Sequence, residues 1–298
     1  MNSKLLVSFG CLALAGHVVT ANAQILYQDD FNTGTDANWT RWAGDNNAAP
    51  PASFSFPVIS AGNLGYQMQD SPGTSSYFTT ARVGSYVTGL SMTDGTVYGD
   101  LVNYNNSAGY NNIMGVMARV QNPVSAGASI PSGYILAFVD RAQSGGGGTD
   151  QLRIFKTAVT ANGLVFLNDG LGNQGQFGVV AGGSAAPHPG GDYRLEFTLT
   201  GSTFIGRIFD VSANAYMTFN DGNGGLTDFI HASDPGTTAI PGTYASGSAG
   251  FINVPNSVVP GVDATFDNFM VVVPEPGSLT LLALGMGALY CCCGRKHR

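Results

Sequence analysis

Between residues 24 and 273 the apolar positions alternate with polar ones at a spacing of two, or gather in short unbroken runs. Nowhere do they keep an i, i+3, i+4 spacing. Tyr193, Leu195, Phe197 and Leu199 alternate with Arg194, Glu196, Thr198 and Thr200, as in a strand with one wet and one dry face. Gly201-Ser202 then supplies a two-residue turn into a returning strand, 203–211. Unbroken runs at Ile113–Val120 and Tyr134–Val139 read as buried strands. Ile25–Phe31 opens the series, and Leu152–Lys156, Gly250–Val254 and Ala264–Val273 complete it. Gly-rich breaks separate these segments, as at Gly145–Gly148, and no repeat of 20–50 residues is visible. The pattern predicts an all-β fold, one large antiparallel sandwich over residues 24–273.

Both ends depart from this pattern. Lys4, the apolar stretch Leu5–Ala15 and Ala21-Asn22-Ala23 fall in the order of a secretory signal peptide over residues 1–23. Signal peptidase would cut after Ala23 and leave Gln24 as the new start. At the other end, Pro274-Glu275-Pro276 opens a segment over residues 274–298. It continues with the uncharged run 277–294 and closes on Arg295-Lys296-His297-Arg298. Eighteen helical residues span about 27 Å, close to the roughly 30 Å of a bilayer core. The run predicts a short transmembrane helix whose basic end stays cytoplasmic. Its two prolines keep Val273–Pro276 extended, outside any helix. Cys291-Cys292-Cys293 reads as apolar helix.

These three ordered elements, Pro274-Glu275-Pro276, an apolar helix and a basic terminus, resemble the PEP-CTERM sorting signal of Gram-negative exported proteins. The resemblance implies that an exosortase in the inner membrane recognises the Pro-Glu-Pro strip and removes the helix. The product would then pass to the cell surface or the extracellular matrix. A second resemblance rests on Asp29-Asp30-Phe31, Gly115–Arg119, Gly133–Leu136, Leu152–Lys156 and Phe266-Asp267-Asn268-Phe269, in that order. These are similar to the concanavalin-A-like, laminin-G-like jelly roll. That resemblance implies first and last strands lying side by side.

Composition narrows the chemistry. The net charge is −7 and the pI about 4.8, which excludes a nucleic-acid partner. The body holds 18 acidic and 8 basic residues, and Lys156 is its one lysine. All four cysteines lie in the end segments, so the body has no disulfide and its stability must come from packing. The resembled superfamily includes laminarinase-like hydrolases carrying Glu-x-Asp-x-x-Glu along one strand. Here Glu196 is the body's single Glu and residue 198 is Thr, so that motif is absent. Asp29 and Asp30, being adjacent, face opposite sides of a strand. The two body histidines, His188 in a Pro-Gly turn and His231 at the end of an apolar run, give few chances for a Ser-His-Asp set.

Hard oxygens in the Gly-rich loop Asn220–Gly225, with Asp228, suit Ca²⁺, making Asp221, Asn223 and Asp228 candidate ligands; the structural alternative is an Asx/Gly turn. Trp39, Trp42, Tyr66, Tyr104 and Tyr110 are candidates for stacking on sugar rings. The expectation is an exported, non-catalytic surface or matrix protein that acts structurally or by adhering to polysaccharide. The alternative is a secreted glycoside hydrolase or lyase.

Overall fold

A computed structural model of the chain describes residues 23–44, 53–69, 82–105, 112–121, 131–141, 148–157, 164–167, 174–221, 224–236, 240, 242–255 and 263–274. Gln24–Val273 forms one compact unit. Residues 1–22 of the signal segment, the sorting helix and the cysteine triplet lie outside the described residues. Among the described residues no helix is long and apolar enough to cross a membrane.

The strands are β1 (Ala23–Asp29), β2 (Trp39–Gly44), β3 (Ser53–Ser55), β4 (Val58–Ser60), β5 (Asn63–Leu64), β6 (Tyr66–Gln69) and β7 (Arg82–Val87). They continue with β8 (Gly95–Tyr104), β9 (Asn112–Gln121), β10 (Ser132–Asp140), β11 (Gln151–Thr157), β12 (Leu164–Phe166), β13 (Gln174–Gln176) and β14 (Tyr193–Thr200). The last seven are β15 (Thr203–Asp210), β16 (Ala215–Tyr216), β17 (Phe219–Asn220), β18 (Leu226–Thr227), β19 (Ile230–Ser233), β20 (Ser248–Pro255) and β21 (Asp263–Pro274). Sheet I runs β16-β15-β14-β8-β21-β6-β3, with β1 beside β21 and β19 beside β15. Sheet II runs β18-β17-β13-β11-β10-β9-β20-β7-β2, with β12 beside β11. The central ladders are antiparallel. This is the all-β, antiparallel jelly-roll sandwich the pattern and resemblance predict, and its first and last strands do lie side by side.

All eight strands read from the pattern are present. The opening one is displaced: it spans Ala23–Asp29, and Phe31 turns out of it at φ 54° to lie fully buried. Asp29 accounts for the turn, its Oδ1 accepting the Phe31 N–H at 2.9 Å. Phe31 then stacks on Tyr66 at 4.9 Å. Trp39 stacks on Phe251 with 5.7 Å between centroids, and Phe251 lies 4.3 Å from Phe266 across the two sheets. Gly99 on β8 makes that approach feasible, because a Cβ there would sit 2.4 Å from the Phe251 ring. Sheet II is also buried on its other face, where Trp42, Tyr86, Met117, Ile135, Phe155 and Ile252 form a second apolar cluster. Burial on both faces is why β9 and β10 read as unbroken runs.

Two buried cations fix one end of the sandwich. Lys156, on β11, points into the core and pairs with Asp234 just beyond β19, Nζ to Oδ2 2.7 Å, with no exposure of either side chain. Its amine also donates to the carbonyls of Ile240 (2.7 Å) and Gly242. Arg119 sits in β9 at φ 50° and donates to the carbonyls of Thr93 (2.7 Å), Gly201 (2.7 Å) and Tyr244 (3.0 Å), and to Asp94 (3.0 Å).

Phe251 touches both sheets, so Phe251→Ala is expected to lower unfolding free energy by about 3–5 kcal/mol. Denaturant titration of the purified protein checks this; a loss below about 1 kcal/mol would show that the aromatic stack is not central to the core.

Candidate functional site

Alternation in sheet I sends every second side chain outward, and register places these in three rungs. One rung is Val272, Thr96, Thr198, Ile205 and His231. The next is Met270, Tyr98, Glu196 and Arg207. The third is Asp267, Asp100, Arg194, Phe209 and Tyr216. Thr96 and Thr198 are joined hydroxyl to hydroxyl at 2.9 Å.

Aromatic rings gather at the β15–β16 side. Tyr216 and Phe229 are 38% and 37% exposed. Phe209 meets Tyr216 edge-on at 5.2 Å. The Arg207 guanidinium lies over Tyr216 at 5.0 Å and near Phe229 at 5.8 Å. Tyr216 donates its hydroxyl to Glu196 Oε2 at 2.9 Å, which fixes the ring. The surface so built offers aromatic faces flanked by a cation and a carboxylate.

Carboxylates gather at the β21 side. A bulge between Asp267 and Met270 holds Asn268 at φ 48°, a left-handed conformation that Asn tolerates better than most residues. Asn268 Nδ2 thereby reaches Asp100 Oδ2 at 2.9 Å. Arg194 clamps the same carboxylate with two bonds of 2.7 and 3.0 Å. Asp267 accepts from Asn63 Nδ2 at 2.9 Å and from the Asn268 N–H at 2.8 Å. Beside this cluster a cavity of about 500 Å³ opens between Gln28–Asp30 and Asn268–Met270, with Arg194 on its wall.

Burial, and then the charge of Asp100, push the Asp192 carboxyl up to about 6, against the pull of Arg194. Burial likewise raises Glu196, although the Tyr216 hydroxyl and Arg194 oppose it, and burial raises Asp267. The face therefore carries carboxyls that hold a proton at higher pH than usual, and one of them, Glu196, lies beside the Tyr216 ring.

The residues singled out from sequence fall elsewhere. Ala23 is the exposed first residue of β1 and Pro274 the exposed last residue of β21, while Glu275 and Pro276 lie outside the described residues. Asp221 Oδ1 accepts the Gly225 N–H at 3.2 Å, and its own N–H donates to the Gly225 carbonyl at 3.1 Å. Asp228 is half-buried beyond β18, and Asn223 lies outside the described residues. Among the described residues no three His, Cys, Asp or Glu side chains are grouped to hold a metal ion. His188 is exposed, its Nδ1 3.1 Å from the Pro189 carbonyl oxygen; His231 lies on β19.

The stacking candidates require correction. Trp39, Trp42, Tyr66 and Tyr104 are all buried, and Tyr110 lies outside the described residues. Flanking Asn and Asp did not carry those rings to the surface: strand parity turns Trp39, Tyr66 and Tyr104 into the core between the sheets, and Trp42 is covered by the second apolar cluster on the other face of sheet II. Tyr216 and Phe229 were missed. The signal for the outward face was the alternation of Ile205, Arg207 and Phe209 with Phe204, Gly206 and Ile208 along β15.

The fold defines an antiparallel all-β protein. Residues 272–296 match the PEP-CTERM protein-sorting motif, which marks proteins exported and sorted to the cell surface. No curated protein matches the chain. Among solved structures, it is similar to a protein of unknown function with galectin-like fold from Bacillus subtilis, at 12% identity and TM-score 0.47 over 86% of this chain and 99% of that one. It is also similar to the carbohydrate binding module CBM66 from Bacillus subtilis, at 12% identity and TM-score 0.42 over 78% and 93% of the two chains. A GlcNAc[alpha]1-4Gal releasing endo-β-galactosidase from Clostridium perfringens matches at 12% identity and TM-score 0.47 over 88% of this chain and 65% of that one.

Asp192 gives a pH signature. In the folded protein it keeps its proton to about pH 6, against an ordinary value of 3.8. Its contribution to stability is therefore full below the ordinary value and is lost as pH rises through 6. Asp192→Asn is expected to raise the melting temperature at about pH 8, with the gain vanishing at about pH 3.5. Thermal melts across that range decide it; a gain independent of pH would place the effect elsewhere.

Proposed function

We propose that this is an exported, non-catalytic surface or extracellular-matrix protein that binds polysaccharide through the outer face of sheet I. The observation that carries the binding reading is the exposed pair Tyr216 and Phe229 around Arg207, ordered by the Tyr216–Glu196 bond. Fixed, partly exposed rings beside hydrogen-bonding groups suit the apolar faces and hydroxyl edges of sugars. Export is supported by the sorting motif at residues 272–296. Signal peptidase and exosortase are the processing partners, acting at Ala23 and at Pro274-Glu275-Pro276. The inner membrane holds the intermediate through residues 277–294 before release.

The glycoside hydrolase or lyase reading has one observation in its favour. Glu196 stands on the same face with its carboxyl raised by burial, as a general acid requires. Sugar release from matrix polysaccharide that Glu196→Gln abolishes would establish it.

Pull-down of the secreted protein on a panel of polysaccharides, with and without added Ca²⁺, tests binding and the ion together. Tyr216→Ala with Phe229→Ala is expected to weaken capture about tenfold, the loss of two stacking contacts. Unchanged capture would remove sheet I from the reading. Calcium dependence lost on Asp221→Ala would assign the ion to that loop.

Processing has its own test. Pro274→Ala with Pro276→Ala is expected to leave the apolar tail attached, read by mass spectrometry of the exported protein. An unaltered mature C-terminus in that variant would contradict recognition of the Pro-Glu-Pro strip.

A further inference from the structure

We propose that the side chains of Lys156 and Asp234 join in an amide bond, a covalent staple between sheet II and the segment that follows β19 in sheet I. Lys156 is the body's single lysine, and its Nζ meets Asp234 Oδ2 at 2.7 Å with neither side chain exposed. Two donors hold the carboxyl: the Tyr134 hydroxyl on Oδ2 at 2.7 Å and the Gly236 N–H on Oδ1 at 3.0 Å. Rings enclose the pair. Tyr134 lies 4.4 Å from Phe204 and 5.4 Å from Tyr244, and Nζ is 5.4 Å from the Tyr244 ring.

Three requirements of amide formation coincide here. The amine and carboxyl are already in contact, so no encounter entropy opposes the step. The Gly236 N–H is placed on Oδ1, where negative charge would develop. Burial excludes the water that would reverse the reaction.

The atoms balance without a co-reactant. One proton crosses from the ammonium to Asp234 Oδ2, leaving an amine and a carboxylic acid. The amine lone pair attacks Cγ, the Nζ–Cγ bond forms, and the carbonyl pair moves onto Oδ1 against the Gly236 N–H. A second proton passes from nitrogen to Oδ2 through the Tyr134 hydroxyl, which is restored. The Cγ–Oδ2 bond breaks and one water leaves. The remaining amide N–H stays within reach of the Ile240 carbonyl, now 2.7 Å from Nζ. In a cysteine-free exported body such a bond would take the part that disulfides take in other secreted domains.

Peptide mapping of the native secreted protein by mass spectrometry is the test. The expected result is one linked species joining the Lys156 peptide to the Asp234 peptide, lighter than their sum by one water, with no tryptic cleavage after Lys156. Tyr134→Phe keeps the ring and removes the relay, and is expected to yield mostly unlinked peptides from folded protein. Recovery of Lys156 and Asp234 from the folded native protein in separate, unmodified peptides would overturn the proposal and leave an ion pair.

Discussion

Charge without water governs how this sandwich is closed. A buried ammonium or guanidinium costs several kcal/mol unless each of its protons meets an acceptor. Lys156 and Arg119 therefore dictate where carbonyls must lie. Ile240 and Gly242 converge on the first; Thr93, Gly201 and Tyr244 converge on the second. Those acceptors belong to turns and irregular segments with few ladder bonds of their own. The two cations thus impose order on parts of the chain that secondary structure leaves free. Tyr244 serves both, giving its carbonyl to Arg119 and its ring face to Lys156.

The rest of the interior is a problem of aromatic fit. Phe31, Trp39, Tyr66, Phe251, Phe266 and Phe269 meet in one cluster, at separations of 4.3–6.2 Å. Such rings pack closely only where a neighbour yields volume, and Gly99 does so opposite Phe251. With the inner faces committed to this cluster, the outward side chains of sheet I are left free of packing duty. That freedom lets Glu196, Arg207 and Tyr216 form a polar and aromatic surface instead.

Strands buried on both faces were legible from sequence because their apolar runs are continuous, as in Tyr134–Val139, and β14 because its alternation is strict. β8 was not. Gly95, Gly99 and Asp100 interrupt its pattern, and each is there for a tertiary reason: close approach to Val272, room for Phe251, and the clamp from Arg194. β2 and β7 are short, and Arg82, Gly84 and Ser85 dilute their apolar content. The site was harder. Outwardness of Tyr216 depends on its pairing opposite Phe209 across β15–β16, a relation set by a turn and not by local composition. Trp39 and Tyr66 sit among polar neighbours in sequence yet face inward, since parity within a strand outweighs the character of adjacent residues. The sorting motif, by contrast, is a linear signal and needed no fold to be read.

Burial of Lys156 has a practical corollary. Reagents and cellular partners that couple through primary amines, aldehydes and activated esters among them, would find no ε-amino group on the surface of the folded body. Coupling through a lysine of the sandwich is thereby closed, whereas carboxyl chemistry is open to its many aspartates.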